Sequence, residues 1–316
     1  MQKLTPLTES AILSALMVLM ALAAVYMPLL GIAAALLWAC PLVVVIARHG
    51  FKYGLMAMFA ATALTALLIT PMLSVRLAIA FAPGGLMMGY AISKGWSAIK
   101  IFLPSVAFSV LAKIIGLAIV FWLTAINPLD AEIDSLREMF DDTFKMYRDM
   151  GMDEAIIDEY KERMNESIDL MTLVMPLVVV LMGLTDTFLT YYVMGRVLPR
   201  LGQKMPEFPT FSRWRFSSAF LYFFGFALVG MYWGESRHID WLYRLSVNVE
   251  AAVIFLGFTE GISLIRFFML RYDVSRWIFY VVFFLIITNG ILAQIAAFAG
   301  LADMLFDYRR HFDGER

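Results

Sequence analysis

Cysteine and histidine are almost absent from this sequence, whose 316 residues include one cysteine and three histidines. The single cysteine, Cys40, excludes a disulfide framework and any metal or iron–sulfur site that needs several cysteines. Charged residues are also scarce, at 16% against 61% hydrophobic residues. Because so little charge cannot cover a soluble domain, the sequence predicts a multi-pass protein of the bacterial inner membrane, with the lipid bilayer as a partner.

Enzyme signatures are missing as well. The sequence has no Gly-x-x-x-x-Gly-Lys-Ser/Thr phosphate loop, so we do not expect the chain itself to hydrolyse ATP in the manner of P-loop proteins. It has no His-Glu-x-x-His motif and no Gly-x-Ser-x-Gly motif with triad partners. Its aspartates are not clustered as a metal would require. We therefore expect no catalytic residue, metal, cofactor or nucleic-acid partner.

Long apolar runs dominate what is present. A helix needs roughly 17 to 25 residues to cross about 30 Å of hydrocarbon, and its backbone groups must be satisfied within the helix. Nine runs qualify as candidate spans: 9–27, 31–47, 53–71, 75–93, 101–126, 168–194, 216–233, 244–270 and 277–300. The sequence thus predicts an all-α integral membrane bundle of about eight or nine transmembrane helices.

One acidic segment sets the predicted orientation. Residues 130–169 hold fourteen Asp or Glu and five Lys or Arg, a local charge of 5 − 14 = −9. Because cytoplasmic loops are the ones enriched in Lys and Arg, this insert is predicted to be extracytoplasmic and the N-terminus cytoplasmic. The cytoplasmic side then carries these basic residues: Lys3, Arg48, Lys52, Lys94, Lys100, Arg196, Arg200, Lys204, Arg213, Arg215, Arg271 and Arg276.

The tail complicates this count. Nine spans would put Arg309, Arg310 and Arg316 on the outer side. Either one of the last three segments is re-entrant, or the tail is an exception to the charge rule.

The acidic insert, at 127–167, has the pattern of two amphipathic helices. Apolar side chains recur in it at helical spacing: Ile133, Leu136, Phe140, Phe144 and Tyr147. Gly151 interrupts the pattern, and Asp153 can cap a second helix that ends near Ser167. The insert either forms a solvated hairpin that spaces two spans, or it provides a lid or docking surface.

A basic loop follows the sixth span, at 196–215. Three prolines keep it from being a single helix: Pro199, Pro206 and Pro209. Its candidate membrane-interface residues are Arg196, Arg200, Lys204, Arg213, Trp214 and Arg215. An indole at headgroup level and guanidinium groups on anionic lipid favour membrane anchoring. A cytoplasmic protein that docks here is the alternative.

Ionisable side chains inside spans are costly, usually paired, and by default mark a functional site. Counted from the cytoplasmic helix ends at about 1.5 Å per residue, Lys113, Asp186, Glu260 and Asn289 fall at a shared depth of roughly 12 to 20 Å. We therefore expect one buried network, in which Lys113 is neutralised by Asp186 or Glu260 and Asn289 and Thr185 complete the hydrogen bonds. The network either fixes helix register or forms a polar ligand site near the midplane.

Small residues give a weaker signal. Ala11 and Ala15 form an Ala-x-x-x-Ala pair on the first helix, a spacing that permits close helix approach in lipid. Gly84, Gly85 and Gly89 form a second small-residue stripe in the fourth span. Packing explains both without a function.

Several short segments resemble the YybS-like family of bacterial multi-pass membrane proteins. They are Thr8-Glu9-Ser10-Ala11, Tyr26-Met27-Pro28-Leu29, Cys40-Pro41, Arg48-His49-Gly50, the run from Pro83 to Tyr90, Gly300-Leu301-Ala302-Asp303 and Phe306-Asp307-Tyr308-Arg309-Arg310. That family is in turn similar, over its first six spans, to the substrate-binding S components of energy-coupling-factor transporters. The resemblance implies a six-span unit that binds a small molecule and docks a transmembrane coupling subunit with ATPases through Ala11 and Ala15.

These patterns divide the chain into an S-component-like domain at 1–195, the basic loop, further spans at 216–303 and a polar tail at 304–316. The function expected is a small-molecule binding or uptake component without its own ATPase. The alternative is a membrane scaffold that docks partners in envelope biogenesis or cell division.

Overall fold

A computed structural model describes residues 5 to 313 of the chain, and within that range it contains helices and no strands. The all-α prediction is therefore confirmed for this part of the chain. Lys3 and Arg316, which entered the charge count, lie outside the described residues. The helices are α1 (Pro6–Tyr26), α2 (Pro28–Leu36), α3 (Cys40–His49), α4 (Phe51–Leu68), α5 (Pro71–Ser93), α6 (Ala98–Thr124), α7 (Pro128–Asp149), α8 (Glu154–Arg200), α9 (Ala219–Ser236), α10 (Asp240–Arg271), α11 (Arg276–Thr288), α12 (Gly290–Phe306) and α13 (Tyr308–Asp313), with a 3₁₀ turn at Phe211–Arg213.

Local sequence signals account for several helix starts. Thr5 caps α1, where its side chain accepts a hydrogen bond from the backbone N–H of Thr8 at 3.3 Å. Thr70 caps α5 in the same way through Leu73. A proline follows each cap, which suits the first turn of a helix because its missing N–H has no helical partner there.

Seven helical segments in the described part of the chain are long and apolar enough to cross a membrane. They are Pro6–Tyr26, Leu30–His49, Phe51–Leu68, Pro71–Ser93, Ala98–Thr124, Glu154–Arg200 and Asp240–Arg271. The predicted run at 277–300 is not a straight helix, because α11 and α12 meet at a bend of 109° near Asn289. The predicted run at 216–233 corresponds to α9, which has 18 residues and is not among the seven.

The insert differs from the two short helices that were expected. Its first helix is α7, in which Ile133 is the one buried residue. Its second helix does not end near Ser167 but continues as α8 through the sixth span, for 47 residues in all. The sequence between Arg163 and Met175 contains neither glycine nor proline, so nothing there stops the helix.

The chain forms two compact units. The first comprises the residues up to Asp149 together with Val178–Phe208. Its core has two buried clusters, one around Val43, Met88 and Met194 and the other around Trp38 and Met17. The Trp38 indole N–H donates to the carbonyl of Met17 at 3.1 Å, so this buried ring is fully hydrogen-bonded.

The second unit comprises Met150–Leu177 and the residues from Pro209 onward. Its helices α10 and α12 pack backbone against backbone. A Cβ atom on Gly261 would overlap the carbonyl of Ala296, and one on Gly300 would overlap the carbonyl of Gly257. Only glycine allows this approach, which gives extensive van der Waals contact between membrane helices.

Candidate functional site

A buried ion pair joins Lys113 of α6 to Asp186 of α8 in the first unit. Their side chains are 11% and 6% exposed. Lys113 lies 15 residues from the start of α6, and Asp186 lies 14 residues from the end of α8, so each is about 21 to 23 Å from that helix end. Both helices are candidate membrane spans, so a hydrocarbon layer of about 30 Å that begins at these helix ends would contain the pair.

Every donor of the Lys113 ammonium group has an acceptor. The Nζ atom donates to a carboxylate oxygen of Asp186, to the hydroxyl of Ser109 at 2.9 Å and to the carbonyl of Ala80 at 3.0 Å. An ammonium group has three donors, so the set is complete. The Ala80 carbonyl lies on α5, three residues before Pro83.

The Asp186 carboxylate is satisfied to a similar degree. Ser109 Oγ lies 3.0 and 3.1 Å from its two oxygens, and Thr187 Oγ1 donates to Oδ1 at 3.2 Å. The sequence assigned a supporting hydroxyl to Thr185, but Thr185 is exposed in the structure. The helix turns its neighbour Thr187 inward instead.

A small polar cavity adjoins this ion pair. Gly84, Ser109, Asp186, Thr187 and Thr190 contribute to its wall, and the space open to the centre of a water-sized sphere is about 10 Å³. That is room for about one water molecule. A Cβ atom on Gly84 would come within 3.0 Å of the Ser109 side chain, so the glycine keeps this wall close to the pair. The arrangement combines both charges with three hydroxyl groups beside a space that can hold water or a small polar group.

Glu260 and Asn289 have other partners than the predicted network gave them. Glu260 belongs to the second unit, where its Oε2 accepts a hydrogen bond from the backbone N–H of Phe216 at 2.7 Å. It lies 20 residues from Asp240, or about 30 Å, because α10 is longer than a membrane span. Its depth in a membrane therefore depends on the end of α10 from which it is counted. Asn289 caps α12, where its side chain accepts from the N–H groups of Ile291 and Leu292.

The predicted docking pair on α1 faces outward. Ala11 and Ala15 are exposed, whereas Ser10, Ser14 and Met17 form the buried side of the helix. Near the start of α1, Glu9 bridges to Arg48 at 3.0 Å and to His49 at 2.8 Å. These contacts tie α1 to the end of α3 and leave the alanine face open.

Some basic-loop side chains are exposed, and others contact neighbouring groups of the protein. Arg200, Lys204 and Arg213 are exposed. Arg196 lies over the ring of Tyr192 on α8, 3.7 Å from its centroid. In the second unit, the Trp214 indole donates to the carbonyl of Pro209 at 2.9 Å, and Arg215 forms an ion pair with Asp307 at 3.0 Å. Arg215 thus ties the loop to the C-terminal segment, whereas the Trp214 hydrogen bond lies within the loop itself.

Sequence reasoning missed the buried polar groups of the C-terminal segments. Arg309 is 4% exposed and pairs with the fully buried Asp303 at 2.9 Å. Arg309 also donates to the carbonyl of Ser212, so the tail and the 3₁₀ turn of the loop meet within the second unit. A signal was available, since an Asp and an Arg six residues apart next to an apolar run are candidates for pairing.

No group of three or more His, Cys, Asp or Glu side chains suited to a metal occurs between residues 5 and 313.

The fold and its buried polar pair define an all-helical, multi-pass membrane protein. The family described as predicted membrane protein (DUF2232) matches residues 15–304, and this chain belongs to that family. A protein named uncharacterized protein YybS, from Bacillus subtilis (strain 168), is 23% identical over 317 residues, covering 98% of this chain and 99% of the relative. No solved structure matches the chain.

Proposed function

We propose that this protein is a binding or uptake component for a small polar molecule in the bacterial cytoplasmic membrane, without an ATPase of its own. The observation that carries the proposal is the Lys113–Asp186 pair beside a small cavity whose mixed polar and apolar wall includes three hydroxyl groups. Ionisable residues in membrane spans are expensive and usually serve transport or binding. Transporters place their polar sites within the bilayer, near its midplane.

The proposed site is closed around the pair. The cavity has room for about one water. A larger solute would have to displace Lys113 from Ser109 or Ala80, and the freed ammonium and hydroxyl groups would then bind it. We accordingly favour a solute with an anionic or hydrogen-bond-accepting group.

The test is to extract the full-length protein from its native membrane and compare retained small molecules by native mass spectrometry. The informative variant is Lys113→Met combined with Asp186→Leu, which removes both charges together. Lys100→Met, an exposed lysine on the same helix, is the matched control. We expect a retained species in the wild type and in the control and its loss in the double variant. A folded double variant that keeps the same species would contradict the proposal.

The proposed topology has both termini in the cytoplasm. The support is the contact between Arg309 and Ser212, which puts the tail at the same end of the second unit as the basic loop. The bent α11–α12 pair then enters and leaves on that side as a re-entrant segment, and α9 spans. This arrangement removes the conflict between the basic tail and the charge rule.

Cysteine labelling tests this topology, because Cys40 is buried and can be replaced by alanine. In that background, Lys145→Cys on α7 should react with an impermeant maleimide on intact cells. Lys204→Cys and Arg310→Cys should react only after the membrane is opened. Labelling of Arg310→Cys on intact cells would refute the cytoplasmic tail.

A coupling subunit is the partner proposed for the exposed Ala11–Ala15 face. Affinity purification of tagged protein in mild detergent, followed by mass spectrometry, should recover a transmembrane subunit with ATPases. Ala11→Trp with Ala15→Trp should abolish that recovery, because the indoles prevent close helix approach. Leu67→Trp, at an 83% exposed position on α4, is the control. Equal recovery from both variants would rule out docking at this face.

The second candidate is a scaffold for envelope biogenesis or division proteins, which the exposed acidic surface of α7 favours. If it is right, Asp134→Asn with Glu138→Gln should remove the co-purifying proteins. The Lys113 and Asp186 double variant should retain them.

A further inference from the structure

Three segments of the second unit converge on two acidic side chains. These are the loop at 211–216, α10, and the end of α12 with α13. Glu260 and Asp303 are both 0% exposed, and Arg309 between these segments is 4% exposed. The cluster shares no residue with the Lys113–Asp186 site and does not depend on the function proposed for it.

The charges around these acids do not balance. The cations near these acids are Arg309 on the tail and Arg215 on the loop, and Arg215 is already paired with Asp307. With both acids ionised, three carboxylates meet two guanidinium groups, a net charge of 2 − 3 = −1. An uncompensated charge in a dry interior is costly and is normally removed by protonation or by a bound cation.

The hydrogen bonds show where the imbalance lies. The Nε atom of Arg309 donates to Asp303 Oδ2 at 2.9 Å. Its terminal nitrogens donate elsewhere, to the Ser212 carbonyl at 2.7 Å, the Ser263 hydroxyl at 3.1 Å and the Glu260 backbone carbonyl at 3.3 Å. The guanidinium thus makes one bond to a carboxylate and gives the rest to neutral groups.

One oxygen of each acid is left without a donor. Glu260 Oε2 accepts from the Phe216 N–H, and Asp303 Oδ2 accepts from Arg309. Within residues 5–313, Glu260 Oε1 and Asp303 Oδ1 have no hydrogen-bond partner although both are buried. A buried acceptor without a donor destabilises the fold, and it does so more strongly when it is charged.

We propose that the Glu260–Asp303 pair is a proton-binding site that holds one exchangeable proton when the second unit is folded as in the structure. One proton cancels the excess charge, and it converts one carboxylate into a carboxylic acid with an O–H donor. The proton comes from water and returns to water. A metal cation is disfavoured, because it needs several oxygen ligands and the described residues offer no group of three or more acidic, His or Cys side chains for one.

The expected pH dependence has a definite sign. If the folded state holds a proton that the unfolded chain has released, the folded state binds more protons and stability falls as the pH rises. Above the range in which the pair releases its proton, the buried charge is uncompensated. The contacts of Arg309 and of the 211–216 loop then loosen as water reaches the acids.

The experiment measures the thermal unfolding midpoint of the full-length protein in lipid nanodiscs as a function of pH, in sodium chloride and in choline chloride. Glu260→Gln replaces the acid with a neutral side chain of the same shape that can donate a hydrogen bond. We expect the wild-type midpoint to fall with rising pH in either salt and the Glu260→Gln midpoint to lose that slope. Glu250→Gln, an only partly buried position on the same helix, should keep the wild-type slope.

Two results would overturn the proposal. One is a wild-type midpoint that depends on sodium and not on pH, which assigns the site to a cation. The other is a slope that is the same in wild type and Glu260→Gln. If neither Glu260→Gln nor Asp303→Asn folds, infrared spectroscopy of the wild type decides. A carboxylic-acid carbonyl band that persists at about pH 6, where exposed carboxyl groups are ionised, and that shifts on labelling glutamate or aspartate with ¹³C supports the proton. Absence of the band at that pH contradicts it.

Discussion

The side-chain oxygen of Asn248 on α10 accepts a hydrogen bond from the backbone N–H of Leu177 on α8 at 3.0 Å. The amide nitrogen of Asn248 donates to the carbonyl of Leu173 at 2.9 Å. An uninterrupted helix would pair these two backbone groups with each other. Pro176 lies between them and has no N–H, so one side chain bridges the helix next to a proline.

Replacing Asn248 with leucine should therefore weaken the attachment of residues 154–177 of α8 to α10. The two backbone groups lose their side-chain partner, at a cost of about 1 to 3 kcal/mol for groups left unsatisfied. Hydrogen exchange should become faster in this part of α8. The control is Asn165→Leu, which replaces an exposed asparagine in the same part of α8. Unchanged exchange in Asn248→Leu would show that the bridge contributes nothing.

Removing only Lys113 should destabilise the protein more than removing both members of its ion pair. Lys113→Met leaves the Asp186 carboxylate buried and unpaired, which costs about 3 to 5 kcal/mol. Adding Asp186→Leu should recover most of that loss, since apolar replacement of a buried pair is often neutral. Denaturant unfolding in detergent measures the difference, with Lys100→Met as the control. A double variant less stable than Lys113→Met would be the opposite result.

Replacing two different glycines with alanine should change the stability of the protein in opposite directions. Gly261→Ala brings a methyl group against the Ala296 carbonyl and should cost about 1 to 3 kcal/mol by overpacking. Gly225 of α9 has open space around it, so Gly225→Ala should stabilise by roughly 0.5 to 1 kcal/mol through helix propensity. Thermal unfolding of both variants checks the signs. Equal effects would mean that α10 and α12 do not approach as closely as described.

The surface ion pair of α7 should have little influence near neutral pH. The hydrogen bond that Lys145 donates to the Asp142 carboxylate raises the pKa of Lys145 above its ordinary value. A lysine with a raised folded-state pKa contributes its stabilisation at all lower pH values and loses it only as the pH rises through that pKa. Both side chains are well exposed, so solvent screens the pair. Asp142→Asn should leave the unfolding midpoint unchanged between about pH 6 and 8, and a clear drop there would contradict this.

Part of the candidate site could be read from the sequence. Lys113 and Asp186 were recognisable because charged residues stand out in apolar runs, and the structure joins Lys113 to one of the two acids that the sequence offered. Glu260 was assigned to the same network because depth was counted from helix ends. That count does not fix a depth in α10, because a helix of 32 residues is longer than the hydrocarbon layer is thick.

The sequence by itself determined that this chain is a multi-pass helical membrane protein, since the length and apolarity of its runs leave the backbone no other way to satisfy its hydrogen bonds in lipid. It also determined several helix starts, because capping depends on neighbouring residues. Only the tertiary structure decided that α8 continues into the insert, that α11 and α12 form a bend, and that Arg309 meets Asp303 and Ser212. Helical periodicity gives the face of each side chain but not the helix that covers it, so the partners of buried polar groups are fixed only when the helices pack.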